Sequence, residues 1–211
     1  MLDKKVAIVG YSGHAFVVAD AAISAGINIT QYTDKNESER NPFKLKYIGF
    51  ESETGFFDNN LNKGFILGIG DNKIRETTYN LLISKRINVL NVIHPSSQIS
   101  KQLKIGKGNF VSKNTAINPL VTIEDACIIN TGAIIEHECY ISKAAHIGPG
   151  VVLAGNVYVG ERSFIGANTV IKEGVSVGSD VVIGAGSVVL KDVSNGQKIA
   201  GNPAKSIWKK R

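Results

Sequence analysis

Aliphatic residues recur at every sixth position through the second half of the chain. The residue four positions after each is Val, Thr, Ser, Ala or Cys in 14 of 16 cases, and Leu103 and Asn109 are the exceptions. A period of six is too short for a pair of helical turns and too regular for an antiparallel meander. It predicts the flat sides of a triangular parallel β-helix, with each aliphatic residue pointing inward. The sixteen are Ile99, Ile105, Val111, Ile117, Ile123, Ile129, Ile135, Ile141, Ile147, Leu153, Val159, Ile165, Ile171, Val177, Ile183 and Val189.

Three such hexads make one coil, so residues 18 apart in the sequence are expected to stack at ~4.8 Å. Glycine follows the aliphatic residue in six hexads, as in Ile147-Gly148. We expect those glycines at the corners, because glycine tolerates backbone angles that other residues resist. Parallel crossovers are usually right-handed, and the residues of the repeat do not by themselves fix the hand.

The first ninety residues instead alternate short apolar runs with segments of helical spacing. That alternation predicts a small parallel sheet of Rossmann-like type. Residues 36–62 are polar, and no helix or strand is predicted for them. His94-Pro95 is predicted as the hinge into the β-helix, which divides the chain into domains 1–95 and 96–211. The predicted strands are residues 5–9, 27–33, 65–70 and 89–93; the predicted helices are residues 73–85 and 15–25, the latter with Phe16, Val17, Ala21 and Ala22 on its apolar side.

Composition narrows the class of protein. With 43% hydrophobic residues and a net charge of only +6, the 211-residue chain is not intrinsically disordered. No run of 18 uncharged apolar residues occurs, so no membrane span is expected. The first apolar run, Val6–Val9, is too short for a signal peptide, and two cysteines, Cys127 and Cys139, make no disulfide framework. We therefore expect a cytoplasmic protein.

The basic balance, with a pI of about 9.2, indicates anionic partners. Basic and aromatic residues are not interleaved and no nucleic-acid recognition motif is present, so no nucleic acid is expected as a partner. The one basic cluster is the tail, Lys205 to Arg211. A small polyanionic ligand fits this pattern better than a polymer does.

A glycine turn, Gly10-Tyr11-Ser12-Gly13, follows the first predicted strand. A turn in that position presents backbone N–H groups to a phosphate, and an acidic residue ending the second strand, here Asp34, often binds a ribose. Ser12 stands where the dinucleotide fingerprint has a glycine, which argues against a nicotinamide cofactor. A site for another nucleotide and a turn without any ligand both remain open.

His137 lies in the repeat between two carboxylates, Glu136 and Glu138. Histidine titrates near neutral pH, so it can act as a general base; an exposed histidine among surface acids is the alternative. Adjacent side chains of a strand point to opposite sides, so either glutamate can serve His137 only where the backbone bends. Gly155, 18 residues later, is expected one coil above, where its N–H could stabilise an oxyanion or where it simply forms a corner.

The repeat from Ile99 to Val193 resembles the hexapeptide-repeat transferases. The resemblance implies a left-handed parallel β-helix, a homotrimer and acyl-CoA bound between neighbouring prisms. Further motifs extend it to the bacterial nucleotide-sugar acetyltransferases and the related sialic acid O-acetyltransferases. The closing Gly-x-Pro-Ala-Lys motif would cap the prism. These motifs are Gly10-x-Ser12-Gly13-His14, Gly68-Ile69-Gly70-Asp71-Asn72, Ile93-His94-Pro95-Ser96 and Gly201-Asn202-Pro203-Ala204-Lys205.

The same resemblance assigns roles to individual residues. It implies that His137 is the general base and Glu138 its carboxylate partner. Lys35 departs from members that carry two acidic residues at that point. The resemblance places acetyl-CoA contacts at Asn130, His146, Gly155, Ala167 and Ala185, and nucleotide-sugar contacts at Ser12, Gly13, His14, Asp34, Lys35 and Gly70.

The leading hypothesis is an acetyl-CoA-dependent N-acetyltransferase in bacterial surface glycan synthesis. Its acceptor would be the amino group of a nucleotide-linked amino sugar, of the UDP-4-amino-4,6-dideoxy-sugar or GDP-perosamine type. Direct attack needs no acyl-enzyme, because one cleft positions both substrates. A sialic acid O-acetyltransferase and a non-catalytic nucleotide-sugar-binding protein are the alternatives. A zinc hydratase needs three histidine ligands, and only His137 and His146 lie in the repeat, so no metal is expected.

Overall fold

The computed structural model describes residues 5–60 and 63–207. The elements of its first part are β1 (Val6–Val9), α1 (Gly13–Ser24), β2 (Ile29–Thr33), β3 (Lys46–Tyr47), a 3-10 turn (Phe56–Asn59), β4 (Gly64–Leu67), α2 (Asn72–Ser84) and β5 (Asn88–Val89). The five strands form a parallel sheet with strand order β3-β2-β1-β4-β5, so the predicted Rossmann-like α/β domain is confirmed.

The two helices cover opposite sides of this sheet. Val6 and Ile8 of β1 pack in one apolar cluster with α1, whereas Ala7 and Val9 pack in another with α2. Both sides of β1 are therefore buried, which explains why this strand is a continuous apolar run rather than an alternating one.

The second part is the predicted parallel β-helix, built from two-residue strands on three faces. The first face contains β6 (Val92–Ile93), β9 (Phe110–Val111), β12 (Ile128–Ile129), β15 (His146–Ile147), β18 (Phe164–Ile165), β21 (Val182–Ile183) and β23 (Lys198–Ala200). The second contains β7 (Gln98–Ile99), β10 (Ala116–Ile117), β13 (Ile134–Ile135), β16 (Val152–Leu153), β19 (Val170–Ile171) and β22 (Val188–Val189). The third contains β8 (Lys104–Ile105), β11 (Thr122–Ile123), β14 (Tyr140–Ile141), β17 (Tyr158–Val159) and β20 (Ser176–Val177).

The strand register follows the 18-residue coil. Ile117 pairs with Ile135, and Ile135 pairs with Leu153. The predicted inward residues form the core of the prism; only Ile99 and Ile105, at its first coil, are partly buried. The left hand of the helix stays a prediction from the resemblance.

The prism ends in an antiparallel pair. β24 (Lys205–Ser206) folds back on β23, and the Ala204 N–H donates to the Val188 carbonyl. The tail motif thus lies across the last coil, where we expected a cap. Residues 208–211 of the basic tail cluster lie outside the described residues.

The repeat requires glycine after the inward residue for a different reason from the one expected. The six that follow an inward residue do not have positive φ. At Gly148 an added Cβ would lie 2.5 Å from the carbonyl oxygen of Ile165, so the next coil leaves no room for a side chain. The left-handed conformations recur three residues after the inward residue, at every sixth position from Gly108 to Gly186, and most are not glycine. The non-glycine members are Asn114, Leu120, Ala126, Glu138, Ala144, Asn156, Arg162, Asn168 and Asp180.

Two details of the first domain also differ from expectation. The predicted strand 89–93 is two strands, because Asn91 binds the Gly106 carbonyl and the Asn109 N–H through its side chain and turns the chain from one sheet into the other. β6 therefore already belongs to the β-helix, and His94-Pro95 forms its first corner rather than a hinge. The division at residue 95 stays a prediction. Residues 36–60, which received no element, contain β3 and the 3-10 turn.

Helix α1 buries Ala21 and Ala22 as predicted, but Val17 does not lie on its buried side. Val17 is 37% exposed, whereas Val18 and Ala19 are fully buried. The reason is tertiary, because α1 lies between the sheet and the first face of the prism and packs against Phe110 and Ile128.

Helix α2 fastens the first domain to one corner of the prism, between the third and first faces, which we call the near corner. Asn72 donates to the Arg162 carbonyl at 2.8 Å, and the Arg162 guanidinium forms an ion pair with Glu76 at 3.1 Å. The corner between the second and third faces, which includes His137, lies across the prism from the first face. We call it the far corner.

Candidate active site

A cavity of about 560 Å³ opens at the carboxyl ends of β1, β2 and β4. Ligands of open parallel sheets bind at this edge. Four of the predicted nucleotide-sugar residues line it: Ser12, Asp34, Lys35 and Gly70.

The glycine turn owes its shape to Asp34. One carboxylate oxygen of Asp34 accepts the Tyr11 N–H at 2.8 Å, and the other accepts the Lys35 N–H at 2.7 Å. Gly10 has a φ of +79°, which favours glycine. Ser12 precedes α1 without capping it through its side chain, and the Cα of Gly13 faces open space. The hydroxyl of Ser12 and the start of α1 are thus left for a ligand.

His14 does not line this cavity but turns toward the prism. Its ring lies 5.6 Å from the ring of Phe110 and 6.1 Å from that of His146. The side-chain amide nitrogen of Asn130 lies 3.2 Å from His146 Nε2. The structure thus brings His14, His146 and Asn130 together at the first face, beside the cavity.

Burial decides the charge of this histidine pair. The pKa of His14 falls to about 4, chiefly because burial removes solvent and then because of the charge of Arg75. The pKa of His146 falls to about 3, chiefly through burial and then through Arg75 and His14. Both rings are therefore neutral at neutral pH, and His14 Nε2 and His146 Nδ1 are buried without a partner among the described residues.

Arg75 is a residue of this site that no sequence pattern singled out. It is 1% exposed, and its guanidinium donates to the carbonyls of Ala126 at 2.7 Å, Ala144 at 2.8 Å and Gly70 at 2.9 Å. It forms no ion pair with a carboxylate of the described chain, and burial lowers its pKa to about 10, so it stays charged at neutral pH. Arg75 joins the cavity wall at Gly70 to the near corner. In the sequence it lies in the largely polar segment Asn72-Lys73-Ile74-Arg75-Glu76 and looks like a surface residue.

The far corner presents His137 and Glu138 side by side. Glu138 has a φ of +61°, and this left-handed residue supplies the bend that the sequence required. His137 Nδ1 lies 3.0 Å from Glu138 Oε2, with the two side chains 52% and 57% exposed. Glu136 is occupied elsewhere, since it accepts from the Asn118 amide at 2.8 Å. Of the two flanking carboxylates, the structure pairs Glu138 with the histidine.

Gly155 lies directly above His137, as the 18-residue coil requires. An added Cβ at Gly155 would lie 2.6 Å from Cε1 and 2.7 Å from Nε2 of the imidazole. Asn156, the next residue, donates its N–H to the His137 carbonyl at 2.8 Å. The ring therefore rests against a backbone without a side chain, and its Nε2 faces away from Glu138.

The remaining predicted acetyl-CoA residues lie elsewhere on the prism. Ala167 and Ala185 occupy the corner between the first and second faces in successive coils, and the Gly186 N–H donates to the Ala167 carbonyl at 2.8 Å. Asn130 enters that same corner from β12. A single chain thus separates Gly155 and His137 from the other four predicted contacts.

Within residues 5–60 and 63–207, His, Cys, Asp and Glu side chains do not gather in any group of three that could hold a metal ion. Neither α1 nor α2, nor any other helix of that part of the chain, has the length and apolar character needed to cross a membrane.

Three family models match the chain. The one described as PglD N-terminal domain matches residues 5–82, the bacterial transferase hexapeptide (six repeats) matches residues 138–173, and the hexapeptide repeat of succinyl-transferase matches residues 157–191. Fold and site together thus define a hexapeptide-repeat transferase with a PglD-type first domain.

Solved structures resemble the whole chain. A histidine variant of perosamine N-acetyltransferase from Caulobacter crescentus, in complex with CoA and GDP-perosamine, is 32% identical with a TM-score of 0.92, and 97% of each chain is covered. The acetyltransferase domain of PglB from Neisseria gonorrhoeae FA1090, in complex with acetyl coenzyme A, is 30% identical with a TM-score of 0.90, covering 97% of this chain and 99% of that one. WeeI from Acinetobacter baumannii AYE, at 22% identity and a TM-score of 0.86 over 97% and 100% of the chains, shares the fold. The chain belongs to the nucleotide-sugar N-acetyltransferase family of hexapeptide-repeat transferases, and it is an acetyl-CoA-dependent acetyltransferase.

Proposed function

We propose that this enzyme transfers the acetyl group of acetyl-CoA to the amino group of a nucleotide-linked amino sugar, with His137 as the general base. The 3.0 Å contact between His137 and Glu138 carries the proposal. A carboxylate on Nδ1 fixes the tautomer that leaves Nε2 free to accept a proton, and it stabilises the imidazolium that forms. The perosamine N-acetyltransferase relative, with its bound GDP-perosamine, supports an amino-sugar acceptor.

The chemistry follows from this arrangement. The sugar nitrogen attacks the thioester carbonyl, the new C–N bond forms, and the C–S bond then breaks to release CoA. His137 Nε2 takes the proton that the nitrogen loses. The Gly155 N–H makes no hydrogen bond within the described chain, so it is available to the oxyanion of the tetrahedral intermediate. Holding both substrates in one cleft supplies much of the acceleration.

One chain does not complete that cleft, because the nucleotide cavity lies on the first-face side of the prism and His137 lies at the far corner. A second copy that places its far corner against the first face would join them. The outward residues of the second face form an apolar column from Ala116 to Val188, including Ile134 at 38% and Val170 at 42% exposure. Apolar columns of this kind suit a subunit interface. We therefore propose a cyclic homotrimer with composite active sites.

The cavity residues Ser12, Asp34, Lys35 and Gly70 would bind the nucleotide. His14, Asn130 and His146 would line the space where sugar and thioester meet, and Ala167 and Ala185 would border the CoA arm; Gly13 would leave room for the diphosphate. Bacterial surface glycan synthesis and a cytoplasmic location belong to this proposal, because nucleotide sugars and acetyl-CoA are cytoplasmic metabolites.

The test measures thiol release from acetyl-CoA with a panel of UDP-, GDP- and dTDP-linked amino sugars. We expect turnover with one of them and a fall in kcat of roughly 10²–10⁴-fold in His137→Ala, with both substrates still bound. His94→Ala, a histidine at another corner of the prism, is the matched control and should keep full activity. Light scattering of the same samples should give the mass of a trimer.

Other outcomes would overturn the proposal. Turnover only with free or CMP-linked sialic acid would indicate an O-acetyltransferase. Nucleotide-sugar binding without any turnover would indicate a binding protein. Full activity in a stable monomer would contradict the composite site.

A further inference from the structure

Glu51 is a buried carboxylate on the wall of the nucleotide cavity. It lines that cavity and is only 5% exposed. Its Oε2 accepts the Thr33 hydroxyl at 2.7 Å, and it forms no ion pair with any described residue. Burial raises the pKa of Glu51, and nearby Asp34 raises it further. A carboxylate kept from water without a cation needs hydrogen-bond donors, and the open cavity is where a ligand can supply them.

The strand order places Glu51 at the end of the cavity away from the phosphate. The glycine turn follows β1, Asp34 follows β2, and the segment after β3 runs on to Glu51; these three strands are neighbours in the order β3-β2-β1. The Asp34 N–H donates to the Gly49 carbonyl, which fixes that segment beside Asp34. Neighbouring strands lie ~4.8 Å apart, so the step from turn to Glu51 is roughly 10 Å.

This order matches a nucleoside diphosphate laid along the sheet edge. The diphosphate belongs at the glycine turn and the start of α1, and the ribose belongs at Asp34. Two carboxylates beside the diphosphate would repel it, whereas a nucleoside offers them donors. The base then reaches Glu51, where Phe50 also lines the cavity and offers an aromatic face.

The bases differ in what they present to a carboxylate. Guanine carries two adjacent donors, the ring N1–H and the 2-amino group, which match two carboxylate oxygens. Uracil and thymine present one N–H between two carbonyls, whose lone pairs a carboxylate repels. We propose that Glu51 is the specificity-determining residue for the base and selects guanine, so that the acceptor is a GDP-linked amino sugar. This inference rests on the proposed function for the sugar, and on the cavity alone for the base.

The experiment is calorimetric titration of the whole protein with GDP, IDP and UDP. IDP keeps the ribose, the diphosphate and N1–H of GDP but lacks the 2-amino group. Loss of one hydrogen bond to a charged group corresponds to about 10- to 100-fold in affinity. We expect wild type to bind GDP 10- to 100-fold more tightly than IDP, and UDP more weakly than GDP. In Glu51→Gln the gap between GDP and IDP should shrink to within about 3-fold. Glu53→Gln, an exposed neighbour, should keep the wild-type gap.

Each contrary result overturns the inference. Equal binding of GDP and IDP by wild type, tighter binding of UDP, or no binding of the three would do so without any variant. A Glu51→Gln protein that loses affinity for all three nucleotides alike would place Glu51 at the ribose. Guanine preference with no turnover on any amino sugar would leave this inference standing and reject the proposed function instead.

Discussion

His137 and His146 lie nine residues apart in the same repeat, yet their surroundings are opposite. His137 stands at the far corner, half exposed, with Glu138 at 3.0 Å. His146 points outward from the first face, but it is only 8% exposed and lies against the His14 ring. Burial brings the pKa of His146 to about 3.

The difference teaches that the repeat supplies equivalent positions and the first domain makes them unequal. A histidine covered by that domain beside the charge of Arg75 holds a proton poorly. A histidine at the far corner, with a carboxylate on Nδ1, can accept a proton. The general base that we propose therefore lies at the far corner, and the covered pair is suited to contacts as neutral rings.

The largest expected effect on this difference comes from a substitution that removes contacts between the first domain and the prism. Arg75→Met removes a guanidinium that serves carbonyls of both domains and leaves several buried acceptors unpaired. We expect the free energy of unfolding to fall by about 3–5 kcal/mol, because each unpaired buried group costs ~1–3 kcal/mol. Urea unfolding followed by circular dichroism measures it, with exposed Arg40→Met as the matched control. A loss below about 1 kcal/mol would show that Arg75 does not hold the domains together.

Low pH should lower the free energy of unfolding, because His14 and His146 are buried as neutral rings. The unfolded chain binds protons at the ordinary histidine pKa of 6.5, whereas His14 and His146 bind them only near about 4 and about 3. As pH falls below 6.5 the unfolded state takes up protons first, so stability is lost. Between pH 6.5 and 5.5 each histidine should remove about 1 kcal/mol, or about 2 kcal/mol together. Urea unfolding across this range checks the slope. His146→Gln should make it shallower than in wild type, and parallel curves would contradict the assignment.

A smaller substitution tests the far corner, where Gly155 lies against His137. Gly155→Ala places a Cβ against the exposed His137 ring, which can move aside. We expect kcat to fall by roughly 10- to 100-fold, because displacement of a catalytic group by about 1 Å has that effect, and little change in stability. Kinetics with the active nucleotide sugar and thermal melts measure the two.

Gly160→Ala is the matched glycine for this test. Its Cβ would meet the backbone of Gly178 in the next coil, which has no room to yield. This variant should lose about 1–3 kcal/mol of stability with a smaller effect on kcat. If Gly155→Ala behaves in the same way and keeps its kcat, His137 does not depend on the bare glycine.

The hexads predict the β-helix because the signal is local: one aliphatic residue points inward in every six residues. The same signal recurs in every coil, so each repeat supports the same prediction. The same counting places Gly155 above His137. Spacing also locates the glycine turn and Asp34 at one edge of the sheet. The predicted reason for the repeat glycines was wrong, because what requires them is close contact with the next coil, about one 18-residue coil later in the sequence, and not a property of one residue's backbone.

What the sequence by itself determined is whatever its periodicity encodes: the two architectures, their order, and the pairing of residues one coil apart. Only the tertiary structure decided which carboxylate reaches His137, because that depends on the left-handed backbone of Glu138. It also decided that Arg75 is buried, that α1 buries Val18 rather than Val17, and that His146 is neutral. The last three depend on where the first domain lies against the prism. No local pattern in the chain records contacts such as those of Arg75 with Ala126, 51 residues away, and with Ala144, 69 residues away.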